Sequence, residues 1–435
     1  MKFQNEVRMN THKQFRIKAI VLLCTGICIS SLSQANTQTE IDELKHELHM
    51  LKQLVQHMNS QQQTQSEQLV KAQKFQKSSQ NQNLKNTVGL TKGGAEFNLY
   101  GNIRLDALYQ IEGGTQSRLY NQINTVPLTR DSASSDILKS TLAATRLGLD
   151  FKASILNENL GGKIEVDFLG ANDALRIRHA YLTYNQWLIG QTWSNFAIPD
   201  YMPESIDALG YVGGAVKRDP QIRYTQKFNP NSSLVIALED TKDSSSHMKL
   251  PALTMHFNQK ITENLNISAR TMLDEKRSDN DQAMAWGVGF GLKYDVFENT
   301  TFKADYYHVK GDSSLVSWTN AGFVVDQEDH TLAMNKFNSI TFGVTQQINE
   351  KMRTTLGYGY MKADPNQHYL DASLDLTKIN KELWQAWANV FYSPVKPISL
   401  GLEYVYGERK AYADDVQGSN KGIDNRFNAV AIYTF

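Results

Sequence analysis

Arginine is the residue type whose placement in this sequence suggests chemistry. Several arginines alternate with apolar neighbours, so that each would project from one face of an extended strand. A guanidinium group stays charged at any physiological pH and can hold a carboxylate with two parallel hydrogen bonds. The arginines with this pattern are Arg104, Arg146, Arg223, Arg270, Arg353 and Arg426, with Lys152 and Lys227 in similar positions. These residues are candidates for binding anions.

Arg176 and Arg178 belong to a stretch that is rich in basic residues but whose facing is ambiguous. Ala180, Leu182 and Tyr184 share their parity in the strand, so regular alternation would place all five side chains on one face. A β-bulge or a contact with another subunit would resolve the conflict. Basic residues are densest in this part of the chain, at Arg176, Arg178, Lys217, Arg218 and Arg223.

Acidic residues occupy the same strand faces and leave a second interpretation open. They are Asp106, Asp150, Glu165 and Asp167. A generally polar surface with paired charges would have the same composition. Either interpretation predicts that these faces meet water and not an apolar core.

Covalent chemistry is not indicated by any motif. The sequence lacks a G-x-S-x-G nucleophile elbow, an H-E-x-x-H pair, a phosphate-binding loop and a paired-cysteine metal motif, and its ten histidines are scattered. We therefore expect no catalytic residues, no metal and no cofactor. Lysine plus arginine and aspartate plus glutamate balance at 45 each, which argues against a nucleic-acid partner.

Long alternating strands must position these arginines. From Phe97 to Ile111 every odd position is apolar or glycine, and the even positions include Arg104 and Asp106. An ordinary soluble strand has about 5–6 residues, whereas a tilted strand that spans a bilayer needs about 9–11. A charge on the lipid side of such a strand costs roughly 2–4 kcal/mol, so the arginines should face a lumen.

The alternating pattern recurs about sixteen times. Besides Phe97–Ile111, the predicted strands lie near Thr141–Ala153, Lys163–Leu169, Leu175–Asn185, Trp187–Phe196, Gln221–Phe228, Ser233–Asp240, Pro251–Lys260, Leu265–Asp274, Ala283–Val296, Thr301–Val309, Asn338–Ile348, Met352–Lys362, Leu383–Ser393, Ile398–Arg409 and Arg426–Phe435. Short connections alternate with mostly long, polar ones, as in outer-membrane barrels with short periplasmic turns and long outer loops. The predicted fold is an all-β, antiparallel, about sixteen-stranded outer-membrane barrel over residues 93–435.

The N-terminal 35 residues have the pattern of a secretory signal peptide. Basic residues precede an apolar stretch at Ala19–Ile29, and small residues allow cleavage after Ala35. Either Met1 or Met9 is a possible start. Cys24 and Cys28 both lie in this segment, so the exported protein should contain no cysteine.

Residues 36–92 are predicted to form a periplasmic coiled coil and linker. Apolar residues at spacings of three and four give a heptad seam, which a single helix cannot bury, so the seam predicts oligomerisation. The seam consists of Ile41, Leu44, Leu48, Leu51, Val55 and Met58. For residues 73–92, where the seam fades, we expect a glutamine-rich linker.

The last strand, Asp424–Phe435, resembles the closing strand of bacterial outer-membrane barrels. Phe427, Tyr433 and Phe435 share one face, which we assign to lipid, and Arg426 shares the other. The resemblance implies that the barrel-insertion machinery recognises the terminal aromatic residue. Because Arg426 is near the loop side of this strand, we expect it at the mouth of a pore and not at a constriction.

A long connection at Asn195–Val216 follows the fifth predicted strand. In trimeric porins the third outer loop, which has this position, folds into the barrel and narrows it. By resemblance, the constriction residues here would be Asp200, Glu204, Asp207 and Tyr211. An acidic loop opposite an arginine row would create a transverse field, while a surface loop that covers a neighbouring subunit is the alternative.

The stretch Val166–Phe196, with Met202–Asp207 and Asp219–Phe228, resembles the DcaP-like family of trimeric outer-membrane channels. The resemblance implies a homotrimer with a periplasmic coiled coil and a barrel that passes small dicarboxylates and related anions. It implies an anion-handling role for Arg176, Arg178 and Arg223. A general or sugar-selective porin, in which Trp193 and Tyr211 matter more, stays open. So does a structural protein tethered to periplasmic partners by its coiled coil.

Overall fold

The computed structural model describes residues 89–92, 95–114, 120, 122–129, 134–155, 158–214, 217–243, 249–316 and 318–435. The predicted signal peptide and the predicted heptad seam lie outside these residues. Among the described residues, no helix has the length and apolarity needed to cross a membrane. The described chain is dominated by one large antiparallel sheet.

The barrel is closed and has sixteen strand positions around its circumference, as predicted. We call each position a stave. The strands in chain order are β1 Gly89–Lys92, β2 Ala95–Glu112, β3 Ile137–Thr141, β4 Arg146–Ile155, β5 Glu158–Asp167, β6 Arg176–Tyr184, β7 Trp187–Trp193, β8 Arg218–Asn229, β9 Ser232–Glu239, β10 Ala252–Thr262, β11 Leu265–Arg277, β12 Gln282–Phe297, β13 Thr300–Lys310, β14 Phe323–Val325, β15 Leu332–Met334, β16 Lys336–Asn349, β17 Met352–Ala363, β18 Asn380–Tyr392, β19 Ile398–Ala411 and β20 Lys421–Thr434. Strand β1 and the separate hairpin β14–β15 are additional to the staves, and β3 with β4 forms a single stave.

Closure joins the first long strand to the last. Strand β20 pairs with β2 from Asn102↔Thr434 to Glu112↔Asn425, and Phe435 exchanges two backbone hydrogen bonds with Gly101, of 3.0 and 3.1 Å. On its other side, β2 pairs with both β3 and β4. The predicted strand Thr141–Ala153 is thus interrupted at residues 142–145. The closed ladder leaves no free edge along these strands.

The exposure pattern separates an outer apolar face from an inner polar one. In β20 and the residue that follows it, Phe427, Tyr433 and Phe435 are exposed, whereas Arg426 and Asn428 are buried. The same alternation holds in the other staves, because successive side chains of a strand point to opposite faces. The outer face of the barrel therefore suits lipid, and the charged residues face inward.

The two ends of the barrel differ. At one end, which we call the turn end, short turns such as residues 185–186 and 298–299 join the strands, and at the other, the loop end, the long loops lie. The helix α1, Gln367–Ala372, and the hairpin β14–β15 belong to these loops. Strand β1 extends the turn end of β2, at residues that we had predicted as linker. The sequence had shown neither the helix nor this hairpin.

A β-bulge in β6 settles the facing of its arginines. The pairing with β5 shifts between Glu165↔His179 and Val166↔Ile177, so that Arg178 is the extra residue. Beyond the bulge the parity changes, which turns Leu182 and Tyr184 outward, where they are exposed. The bulge, one of the two solutions left open by the sequence, lets Arg176 and Arg178 face inward.

Candidate functional site

The loop between β7 and β8 lies along the inner faces of many staves, beginning at β9. The amide of Asn195 donates to Glu239 at 2.7 Å, and the carbonyl of Phe196 accepts from Arg270 at 3.2 Å. The Phe196 ring packs on Tyr307 at 5.4 Å between centroids. Arg270 also pairs with Asp305, and its side chain is fully buried. Arg270 therefore supports the first part of the loop.

Glu204 fixes the middle of the loop. Its carboxylate accepts two parallel hydrogen bonds from Arg353 of β17, both 2.8 Å long. Its carbonyl accepts from Trp387 Nε1 and Asn389 Nδ2 of β18, each at 3.0 Å. A bidentate arginine–carboxylate pair is among the strongest polar contacts in proteins. Arg353 is therefore turned to the loop.

Asp207 and its neighbour Ile206 attach the loop to the seam where the barrel closes. Arg426 of β20 pairs with Asp207 at 3.2 Å and is 1% exposed. Arg104 of β2 donates to the carbonyl of Ile206 and pairs with Asp106 at 2.6 Å. Arg426 was expected at the pore mouth, apart from any constriction. That expectation is wrong, because the loop reaches across to β20 and buries the guanidinium.

Tyr211 belongs to a buried polar cluster around Glu403 of β19. Its hydroxyl donates to Glu403 and accepts from Asn428 Nδ2 at 3.0 Å. Glu403 also accepts from the amide of Ile206 at 2.9 Å. Burial raises the pKa of Tyr211 well above its usual range. This tyrosine therefore stays neutral and anchors the loop.

Glycines in the wall give the loop backbone room to approach. A Cβ on Gly359 of β17 would lie 2.1 Å from the carbonyl oxygen of Val212, and one on Gly291 of β12 would lie 2.3 Å from the Tyr201 ring. Both distances are shorter than van der Waals contact. Only glycine fits at these two positions with the loop in place.

The loop acids are therefore mostly paired with the wall that supports them. Glu204 binds Arg353 and Asp207 binds Arg426, while Asp200 is exposed and forms no ion pair with a described residue. The loop contacts named so far involve β9, β11, β12, β13, β17, β18, β19, β20 and β2. The loop also meets β10, where Asn195 donates to the carbonyl of Thr254 at 3.4 Å, and β16, where Pro203 lies beside Gly343. These contacts leave the inner faces of β4 to β8, which we call the open wall.

Arg176 and Arg178 lie on the open wall in a network with two carboxylates. Arg176 holds Asp167 with two hydrogen bonds of 2.9 and 2.7 Å. Arg178 donates to Glu165 at 2.6 Å and to Asp167 at 3.0 Å. Asp167 and Arg178 are both buried. Part of the charge of these two arginines is therefore neutralised.

Three other arginines of the open wall keep their charges unpaired. Arg146, Arg218 and Arg223 have no carboxylate within ion-pair distance among the described residues. Arg218 lies over the Trp193 ring at 4.4 Å, and Arg223 donates to Gln221 and to the carbonyl of Trp193. The charges that act on Arg218 include those of Arg146, Arg176 and Arg178. The open wall thus gathers five arginines near Glu165 and Asp167, while two other acids of this wall, Asp150 and Asp219, pair with Lys163 and Lys217.

The predicted arginines therefore fall into two groups that the sequence did not separate. Arg104, Arg270 and Arg353 contact the loop or pair with acids of the wall behind it. Arg146, Arg176, Arg178 and Arg223 lie on the open wall. Arg218 was noted for local basic density but not chosen as a site residue, because the predicted strand began after it, at Gln221. Solute binding by any of these residues stays a prediction.

One group in the described loops has the composition of a metal site. Ligand atoms of Asp326, Asp329 and His368 lie within 4.8 Å of one another, between the β14–β15 hairpin and α1. Both carboxylates already accept hydrogen bonds from their own turn, from the amides of Glu328 at 2.8 Å and Thr331 at 2.9 Å. The group is explained by turn structure, and we assign no metal to it.

Most of the chain matches the model of a known protein family. The model of the DcaP outer membrane protein family matches residues 28–435. The crystal structure of the outer membrane channel DcaP of Acinetobacter baumannii is 38% identical, with a TM-score of 0.71. That match covers 79% of this chain and 99% of the other. No curated protein sequence matches the chain significantly.

More distant porin structures share the fold. The trimer form of OmpT of Vibrio cholerae is 15% identical over 79% of this chain and 100% of its own, with a TM-score of 0.52. An anion-selective porin from Comamonas acidovorans is 11% identical over 78% of this chain and 100% of its own, with a TM-score of 0.51. At these identities, the similarity shows a shared barrel fold and nothing more.

Proposed function

We propose, from the premise that this chain belongs to the DcaP outer membrane protein family, that it passes small anionic organic solutes by passive diffusion. The family and the structural neighbours establish an outer-membrane channel of the porin type. The proposal adds the solute class, with dicarboxylates among the solutes, and a water-filled path without covalent chemistry.

The observation that carries the proposal is the unequal pairing of charge on the inner wall. Behind the loop, Arg270, Arg353 and Arg426 each pair with a carboxylate. On the open wall, Arg146 and Arg218 have no such partner among the residues that the structure describes. Unpaired guanidinium groups beside a water-filled path lower the barrier for anions and raise it for cations.

The loop from Asn195 to Gly214 is proposed to narrow the path and to press solutes toward the open wall. Its attachments to staves on the opposite side support this role, since they hold it within the barrel. Because Glu204 and Asp207 are paired with the supporting wall, the transverse field expected from the sequence would be weak. The field near the constriction would instead be mainly positive.

A sugar-selective porin is less well supported by the same geometry. Trp193, one of the aromatic residues on which that alternative depends, is covered by Arg218, and Tyr211 is 2% exposed. Neither ring offers a free stacking surface to a sugar. The tethering alternative depends on the predicted coiled coil, which lies outside the described residues.

The proposed assembly follows from the family. We propose a homotrimer whose turn end faces the periplasm, with residues 36–92 as a periplasmic coiled coil after removal of residues 1–35. The Vibrio cholerae neighbour described as a trimer form supports this assembly. The terminal strand ending at Phe435 would be read by the barrel-insertion machinery.

Selectivity of the wild-type channel tests the proposal. The purified full-length protein is reconstituted in planar bilayers with a potassium chloride gradient, and the zero-current potential is measured. We expect its sign to report preference for chloride over potassium, more strongly at low salt because screening is weaker there. A cation preference would contradict the proposal, and an absence of conductance would favour a tethering role.

Asp200 offers a test of the proposed field from the loop side. Replacement with asparagine removes its exposed carboxylate, and we expect the anion-to-cation permeability ratio to rise about twofold, as for one screened charge near the path. Asp414→Asn, which removes an exposed acid from a different loop, is the matched control and should leave the ratio unchanged. A fall in the ratio for Asp200→Asn would show that this carboxylate does not face the path.

A further inference from the structure

Two lysines face each other on the inner wall across from the arginines. Lys293 of β12 and Lys303 of β13 are direct partners in the strand register. Lys293 alternates with Tyr294, which is 41% exposed on the outer face, and shares parity with the inward-facing Gly291. Lys303 shares parity with the buried Asp305. Both ammonium groups therefore project from the inner face.

Neither lysine has an ion-pair partner in the described part of the chain. The charges that act on Lys303 include those of Lys293, Asp200, Glu204 and Asp295. Glu204 is held by Arg353, and Asp295 accepts a hydrogen bond from Thr301 at 2.7 Å. Asp200, on the loop, and Asp295, on β12, are therefore both near the lysines without an ion pair to a described residue.

Like charges placed directly opposite each other across two strands destabilise the pair. Lys276 of the inner wall, by contrast, is matched by three carboxylates, those of Asp243, Asp274 and Asp312. Lys293 and Lys303 are thus adjacent cations that form no ion pair with a described residue, with the carboxylates of Asp200, Glu204 and Asp295 acting from farther away. An anion between the two ammonium groups would relieve their repulsion.

The lysine pair lies at a different height from the open-wall arginines. Arg176 and Arg218 are the first residues of β6 and β8, at the loop end, and Arg146 is the first residue of β4, which follows β3 in the same stave. Lys303 is three positions from the turn-end start of β13 at Thr300 and seven from its loop end at Lys310. Counted from the turn ends of their own strands, Arg176 lies eight positions along β6 and Arg146 nine along β4, so the lysine pair is nearer the turn end than these arginines.

We propose that Lys293 and Lys303 form a second anion site, near the turn end, that takes a small carboxylate after it leaves the open-wall arginines. The inference rests on the proposed function and deepens it. Two weak sites at different heights and on different walls allow a solute to move from one to the other without being trapped, as conduction through a selective pore requires.

The test compares two double variants of the full-length protein in planar bilayers with a potassium acetate gradient. Lys293→Gln/Lys303→Gln removes the proposed site. Lys351→Gln/Lys396→Gln removes two exposed lysines from turns at the same end of the barrel. We expect the first variant to lower the acetate-to-potassium permeability ratio about fourfold at low salt, with the effect shrinking at 1 M salt, and the second to match wild type.

Equal ratios for the two variants, with an anion-selective wild type, would overturn the lysine site and leave the proposed function intact. A cation-selective wild type would instead overturn the proposed function itself. An unchanged single-channel conductance at 1 M salt shows that the lysine variant is folded and open. If that variant fails to fold, Lys303→Arg is expected to keep the wild-type ratio and Lys303→Gln alone to lower it about twofold.

Discussion

Replacing Arg146, Arg218 and Arg223 together with glutamine is expected to lower the anion-to-cation permeability ratio about tenfold in dilute salt. A unit charge about 8 Å away acts on an ion in water with about 0.5 kcal/mol before screening, and it acts with opposite sign on anions and cations. Three unpaired charges on one wall therefore make a large contribution. The measurement is the zero-current potential in a potassium chloride gradient.

These three arginines are better targets than Arg176 and Arg178. Asp167 is fully buried and holds both of the latter, so their removal would leave a buried carboxylate without partners. Breaking a buried pair in this way costs about 3–5 kcal/mol and would confuse a loss of selectivity with a loss of structure. Arg146 and Arg218 leave no carboxylate unpaired, and Arg223 contacts a glutamine and a carbonyl.

The control for charge alone is Lys351→Gln/Lys378→Gln/Lys396→Gln, which removes three exposed cations from turns and an outer loop. It should keep the wild-type ratio within about twofold, because exposed charges beyond a Debye length are screened. A tenfold loss in this control would assign selectivity to the net charge of the protein. Wild-type selectivity in the arginine variant would remove the open wall from the proposed path.

Local patterns predicted the barrel because each stave carries its own signal. The alternation at Phe97–Ile111 depends on residues that are neighbours in the sequence, and the same holds for the turns. The break at residues 142–145 was missed, since Ala143 and Ala144 carry no mark of a loop and are buried by distant contacts. The bulge at Arg178 was anticipated as one of two solutions, because the parity conflict is itself local.

The division of the arginines could not be predicted from local patterns. Arg353 and Arg146 have the same alternating context, yet Glu204, 149 positions from Arg353, pairs with that arginine, and no carboxylate of the described residues pairs with Arg146. Pairing of this kind depends on where the loop lies in three dimensions. Arg426 shows the same limit, because its partner Asp207 is far from it in the sequence and no local pattern indicates the pair.

Replacing Glu403 with glutamine is expected to release the loop from the closing seam and to widen the path. Glu403 is 1% exposed and accepts hydrogen bonds from Ile206, Tyr211, Asn389 and Asn428. Hydrogen bonds to a charged group contribute about 1.5–3 kcal/mol each. A glutamine keeps one acceptor oxygen but directs an amide group at these donors, so the anchoring should weaken by about 2–5 kcal/mol.

The expected readouts are a larger and noisier single-channel conductance and faster protease cleavage within residues 195–214. Glu408→Gln is the matched control, since Glu408 lies on the same strand and pairs with Lys421 at the loop end, away from the β7–β8 loop. It should behave as wild type. Wild-type conductance in Glu403→Gln would mean that the loop does not limit the path.

A double-mutant cycle with Tyr211→Phe separates release of the loop from general destabilisation. If Glu403 and Tyr211 act through their shared hydrogen bond, the double variant should be cleaved little faster than Glu403→Gln alone, because the bond can be lost only once. Additive effects would indicate two independent anchors. In that case the path should widen further in the double variant than in either single one, since each anchor would restrain the loop separately.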